Sequence, residues 1–95
     1  MQVLSIMEMK GDPDEILANM KEVEDVAGRK APGYGGISNT VVKTDDGIMI
    51  INLWGDEEGR HKLGNDSEVQ AALQKIDLRP DFKAYKVIRH RTFAG

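Results

Sequence analysis

Asn52 and Trp54 are the residues of this sequence best suited to act on a bound molecule. They stand two apart in Ile48-Met49-Ile50-Ile51-Asn52-Leu53-Trp54, a run that is otherwise apolar. Alternation along a strand puts residues two apart on the same face. A buried amide without a hydrogen-bond partner costs on the order of 1–3 kcal/mol. Asn52 therefore needs a partner, from the fold or from a ligand. Ser5, Asn39 or a second copy of the chain could supply it structurally. Functionally, the amide could hold a substrate oxygen or stabilise an enolate-like anion. Trp54, the only tryptophan, could stack a flat ligand or simply pack the mouth of the core. Ser5, Asn39, Asn52 and Trp54 form the candidate ligand-binding set.

His61 is the third candidate for chemistry, beside Asn52 and Trp54. It lies four residues after Glu57 and three after Glu58. A helix would bring it beside either carboxylate, a suitable arrangement for a general base. An exposed helix histidine without a role is the plainer alternative. His90, between Arg89 and Arg91, reads as part of a charged edge strand rather than an anion site.

Other chemistries find little footing. There are no cysteines, so disulfides and thiolate metal sites are excluded. The two histidines fall on different elements without acidic residues at ligand spacing, and no metal is expected. Gly33, Gly35 and Gly36 are too loosely spaced for a phosphate loop, and no Lys-Ser/Thr follows. Lys83, Lys86, Arg89 and Arg91 make the last strand basic. A nucleic-acid-reading sheet would set exposed aromatics among them, and the net charge is −3. No nucleic-acid partner is expected. No apolar stretch approaches a membrane span, and the N-terminus lacks the pattern of a signal peptide. A cytoplasmic protein without a membrane partner is the expectation.

The elements that must position these residues follow from pattern. The 95 residues suffice for one domain, read as 1–95. Val3 to Met9 reads as a strand. Asp12-Pro13-Asp14-Glu15 opens a helix, with Asp12 as cap and Pro13 in the first turn. Ile16, Met20, Val23 and Ala27 make its apolar stripe, and Gly28 is expected to end it. A loop over Arg29 to Gly36 leads to a second strand, Ile37 to Lys43. Asp46-Gly47 suggests a hairpin turn using a positive φ. Ile48 to Trp54 is a third, central strand. Gly55 to Leu63 suggests a short or broken helix, weakened by Gly59. Ser67 with Gln70 suggests a capping box, opening a helix with Val69, Ala72, Leu73 and Ile76 on one face. Arg79-Pro80 should break that helix, and Phe82 to Thr92 should form the last strand.

The order is βαββαβ, an α+β, ferredoxin-like arrangement with a four-stranded antiparallel sheet. Alternation gives one sheet face Leu4, Ile6, Met49, Ile51 and Leu53. The other has Val3, Met7, Ile48, Ile50 and Trp54, with Ser5 and Asn52 among them. Both faces are mostly apolar, yet both helices cover only one. A second copy packed on the bare face, a homodimer, is the expected solution.

Ala31-Pro32-Gly33-Tyr34 before strand two, the Asp46-Gly47 hairpin, and Ile48 to Trp54 running into Gly55-Asp56-Glu57-Glu58 together resemble a known group. They are similar to the antibiotic biosynthesis monooxygenase-like family of the dimeric α+β barrel superfamily. There a Pro-Gly-aromatic turn precedes strand two, and a Trp closes strand three before an acidic helix start. The group includes cofactor-free oxygenases of phenols or quinols, heme-degrading enzymes, isomerases and cyclases. The strand-one Asn and helical Trp of the heme-degrading pattern are replaced here by Ile6 or Met7 and by Leu63, which speaks against heme. The quinol-oxidising pattern has an Asn in strand three and a Trp at its end, as Asn52 and Trp54 do at closer spacing. The resemblance thus implies a cofactor-independent monooxygenase, with no cofactor, acting on a hydrophobic or aromatic metabolite. The residues alone leave open a non-enzymatic ligand-binding or assembly module.

Overall fold

The computed structural model describes residues 1–76 and 80–94. Strand β1 spans Val3–Lys10, helix α1 Pro13–Lys30, β2 Gly36–Lys43 and β3 Gly47–Trp54. Helix α2 (Glu57–Gly64) and helix α3 (Ser67–Gln74) then lead to β4 (Asp81–Lys86). A 3₁₀ turn over Ala31–Tyr34 joins α1 to β2. The strands form one sheet in the order β2-β3-β1-β4, every neighbouring pair antiparallel. This is the expected α+β, ferredoxin-like sheet. Its second helical unit is divided in two at Asn65 and Asp66.

The pairing Val3↔Trp54, Ser5↔Asn52, Met7↔Ile50 and Met9↔Ile48 defines the sheet face beneath the helices. Ile16, Met20 and Val23 of α1 pack there against Met9, Ile48 and Ile50, with Ala72 of α3. Trp54 and Val3 form a second cluster with Leu63 and Val69. Ile50 is thus a core residue beneath α1. Leu4, Ile6, Met49 and Ile51 occupy the opposite face, where none of the described helices lies over them.

Local signals explain most boundaries. The Asp12 carboxylate accepts from the Glu15 N–H at 3.0 Å, with Pro13 in the first turn, as the sequence predicts. Gly28 does not end α1. A Cβ there would meet nothing within 4 Å, and the helix continues until Ala31-Pro32 tightens it into the 3₁₀ turn. Gly35, at φ 87°, provides the left-handed exit.

Gly47 does not use a positive φ either. Its requirement is space: a Cβ would collide with the Met9 carbonyl on β1. Gly59 likewise lies inside an unbroken α2 because the Tyr34 carbonyl approaches too closely for a side chain. The cap of α3 is Asp66, one residue before the predicted Ser67, and it receives the Glu68 and Val69 N–H groups. Gln70 reaches back to the Gly64 carbonyl instead of closing a capping box. Strand β4 stops at Lys86, short of Thr92. Lys86 lies opposite Val3, the first residue of β1, and the ladder ends one bond later, Val87 N–H to Gln2 O. The predicted break at Arg79-Pro80 begins outside the described residues.

Candidate functional site

The apolar stripe of α1 does not seal the sheet along its β2 side. A cleft of about 310 Å³ remains there, within the size range of small-molecule sites. Met20, Val23, Ala27 and Gly28 form its α1 wall, and Ala31 and Pro32 of the 3₁₀ turn continue it. Met7, Ile50, Asn52 and Trp54 form the floor. Gly36, Ile37, Ser38 and Asn39 of β2 supply the other wall, and Leu63 of α2 reaches in beside Trp54.

A β-bulge determines which polar group meets Asn52. The register runs Gly36↔Trp54, then Ser38↔Leu53 and Asn39↔Asn52, so Ile37 is the extra residue. Were the ladder regular from Gly36 onward, with no bulge, Ile37 would face Leu53 and Ser38 would stand opposite Asn52. With the bulge, Asn39 Nδ2 donates to Asn52 Oδ1 at 2.5 Å. This bond uses the oxygen of Asn52. Its amide NH₂ has no hydrogen-bond acceptor among the described residues, and Asn52 lines the cleft.

Trp54 is buried, and its indole N–H donates to Ser5 Oγ at 3.1 Å. Ser5 lies 2% exposed on β1, behind the cleft rather than along it. Its hydroxyl satisfies the indole and fixes the ring plane that borders the cleft. Of the four candidate binding residues, then, Asn39, Asn52 and Trp54 line one cavity, and Ser5 supports Trp54.

His61 is elsewhere. It is exposed on α2 and does not line the cleft; its Nε2 lies 3.0 Å from Glu57 Oε1, the helical pairing the sequence predicts. Glu57 is also bonded by Arg60, whose guanidinium is the first cause holding this carboxyl below its usual range. Arg60 in turn stacks over the Phe82 ring of β4, 4.9 Å from its centroid. Glu58 pairs with Lys62 instead of His61.

Two features were not foreseen. Glu24 lines the cleft from α1, on the flank of the apolar stripe. Burial first, then the neighbouring Asp25, pushes its carboxyl above the usual range, against a smaller opposing effect of Lys21. The second is a polar clamp behind the 3₁₀ turn. Lys30 Nζ reaches both Asp66 oxygens at 2.9 Å, and the Tyr34 hydroxyl donates to Asp66 Oδ2 at 2.8 Å. With the two α3 N–H groups, these bonds hold the Asp66 carboxyl down at about 2, Lys30 being the largest cause. The clamp ties the end of α1, the cleft's 3₁₀ wall and the start of α3 together. Only the shared Asp66 cap was open to pattern reading, since Lys30 and Tyr34 are more than thirty residues away in sequence.

A polar depression near the 3₁₀ turn and α2 is lined by Tyr34, Asp56, Glu58 and Lys62 between glycines. Its Glu58–Lys62 charges pair with each other, and Asp56 caps α2. No group of three or more His, Asp or Glu suited to a metal ion occurs among the described residues. No helix among them is long and apolar enough to cross a membrane.

Neither a protein-family model nor a curated protein sequence matches this chain. Solved structures do. A variant of SnoaB from Streptomyces nogalater, described as a cofactor-independent oxygenase, superposes with a TM-score of 0.70 at 11% identity, over 94% of this chain and 93% of that one. A candidate antibiotic biosynthesis monooxygenase from Chloroflexus aurantiacus gives 0.67 at 18% identity, over 99% and 100%. A dimeric ferredoxin-like protein of unknown function from Jannaschia gives 0.72 at 9% identity, over 92% and 100%. At these identities the likeness establishes fold alone. The resemblance seen in the sequence thus holds at the level of architecture: the chain has the ferredoxin-like fold shared by antibiotic biosynthesis monooxygenase-like proteins.

Proposed function

We propose that this protein binds a flat hydrophobic or aromatic metabolite in the cleft between α1 and the sheet, and that it oxygenates that metabolite without a cofactor. The observation carrying this reading is the convergence of Asn39, Asn52 and Trp54 on one otherwise apolar cavity. The fold shared with a protein described as a cofactor-independent oxygenase supports the reaction class. Trp54 would flank the ligand ring. The unpaired NH₂ of Asn52 would donate to an oxygen that gains negative charge when the ligand loses a proton. The resulting carbanion would add dioxygen at carbon. Cleavage of the O–O bond would leave one oxygen on that carbon and release the other as water with the two hydrogens lost from the substrate. His61 has no part in this scheme, because it does not border the cleft.

The working unit is proposed to be a homodimer formed through the Leu4, Ile6, Met49 and Ile51 face. Exposed Tyr85 on β4 and Val42 on β2 extend that face. One neighbour in the same fold is described as dimeric.

A second reading, a non-enzymatic ligand-binding or assembly module, is favoured by the position of the His61–Glu57 pair outside the cleft. Oxygen uptake with simple quinols separates the two. Consumption that requires Asn52 supports the enzyme. Saturable binding without consumption supports the module.

A further inference from the structure

The scheme above needs a group to take the substrate's proton, and the amides of Asn39 and Asn52 cannot do so. One ionisable side chain borders the cleft among the described residues, Glu24. It follows Met20 by one helical turn and adjoins Val23, so it sits on the shoulder of the buried stripe, exposed at the cleft mouth. The charges around it are engaged elsewhere. Lys21 bonds Asp25 at 2.9 Å, and Glu22 bonds Lys75 at 2.8 Å. Glu24 makes no side-chain hydrogen bond or ion pair among the described residues. The β2, β3 and 3₁₀ walls facing it contribute Ser38, Asn39 and Asn52 but no charge.

We propose that Glu24 recognises the hydroxyl of a phenol-type ligand in this cleft and serves as the base that removes its proton. The proposal rests on the cleft reading above. In the bound ground state the ligand O–H donates to the carboxylate. In the reaction that O–H bond breaks. The proton passes to Glu24, which becomes a neutral carboxylic acid, and the electron pair remains on the ligand, spread from oxygen into the ring. The Asn52 NH₂, on the cleft floor, would donate to the new charge. When the O–O bond breaks, Glu24 gives that proton to the departing oxygen, which leaves as water, and the carboxylate is restored. The upward displacement of the Glu24 carboxyl works in the same direction, since a carboxylate closer in basicity to a phenolate is the better base. The ligand class follows: a planar, apolar molecule carrying at least one acidic hydroxyl.

Binding of para-nitrophenol and of para-nitroanisole, which has no hydroxyl proton, tests this through Trp54 fluorescence and the phenolate absorbance. Wild type should bind the neutral phenol better than the phenolate, so its affinity should fall as pH rises through the phenol's own pKa. Glu24→Gln should lose about tenfold in affinity for the neutral phenol and flatten that pH dependence. Its affinity for the anisole should be unchanged. Glu24→Asp, which keeps the charge, should retain the sign of the pH dependence. Equal behaviour of Glu24→Gln and wild type toward both probes would overturn the role of Glu24 and leave the cleft reading intact. If wild type binds neither probe, the cleft reading fails and the proposal falls with it.

Discussion

Asn39 Nδ2 donates to Asn52 Oδ1 at 2.5 Å across the β2–β3 ladder, and the bulge at Ile37 creates this pairing. The bond orients Asn52 so that its two N–H donors stay available. Asn39→Ala should remove the pair without altering the register. The variant should keep its far-ultraviolet circular dichroism, because Asn39 is an exposed side chain of β2. It should lose affinity for flat phenols by about threefold to tenfold, one hydrogen-bond equivalent. Unchanged affinity, measured by titration calorimetry, would show that the amide orientation does not matter.

The Asp66 clamp gives a pH prediction with a definite sign. Its carboxyl is held at about 2 against an ordinary 3.8. A lowered folded-state value contributes stability above the ordinary value and loses it as pH falls through the folded one. The wild-type protein should therefore be more stable than Asp66→Asn at neutral pH, and the difference should shrink between pH 3.8 and about 2. Urea midpoints of both proteins across that interval check it. A constant difference would mean that the Asp66 charge is not what the clamp uses.

Neighbouring residues of β3 should behave oppositely when made charged. Ile50 packs beneath α1 with Ile16 and Met20, so Ile50→Lys buries an unpaired charge and should unfold the chain. Ile51 lies on the opposite face, so Ile51→Lys should keep the fold and reduce the mass to that of a monomer. Light scattering and circular dichroism on both variants decide it. A wild-type monomer, or an Ile51→Lys variant with unchanged mass, would remove the homodimer from the account.

Much of this architecture was legible because it depends on short-range pattern. Two-residue alternation in β1 and β3 assigns each side chain to its face, and the observed register agrees. Asp12-Pro13 marks the start of α1 through one local hydrogen bond. Misreadings arose where contacts are distant. Gly47 and Gly59 look like a turn former and a helix breaker, yet each is required by a carbonyl from another element, Met9 and Tyr34. Gly28 looks like a stop signal, but the stop lies at Ala31-Pro32 and Gly35. Asn52 and Trp54 stood out in sequence as polar and aromatic exceptions in an apolar strand. Glu24 did not, because a glutamate on a helix flank has the same local pattern whether water or a cleft lies beside it.

Ligand titration of Trp54 fluorescence, run alongside oxygen uptake, tests the central claim most directly. All tryptophan emission comes from this one residue, which borders the cleft. Flat phenols and quinols should quench it saturably, and a quinol should consume oxygen. Asn52→Ala should weaken quenching by about threefold to tenfold. It should lower turnover by about 100-fold or more, because the amide acts on charge that develops only in the reaction. Emission unchanged across a panel of aromatic metabolites would contradict the account.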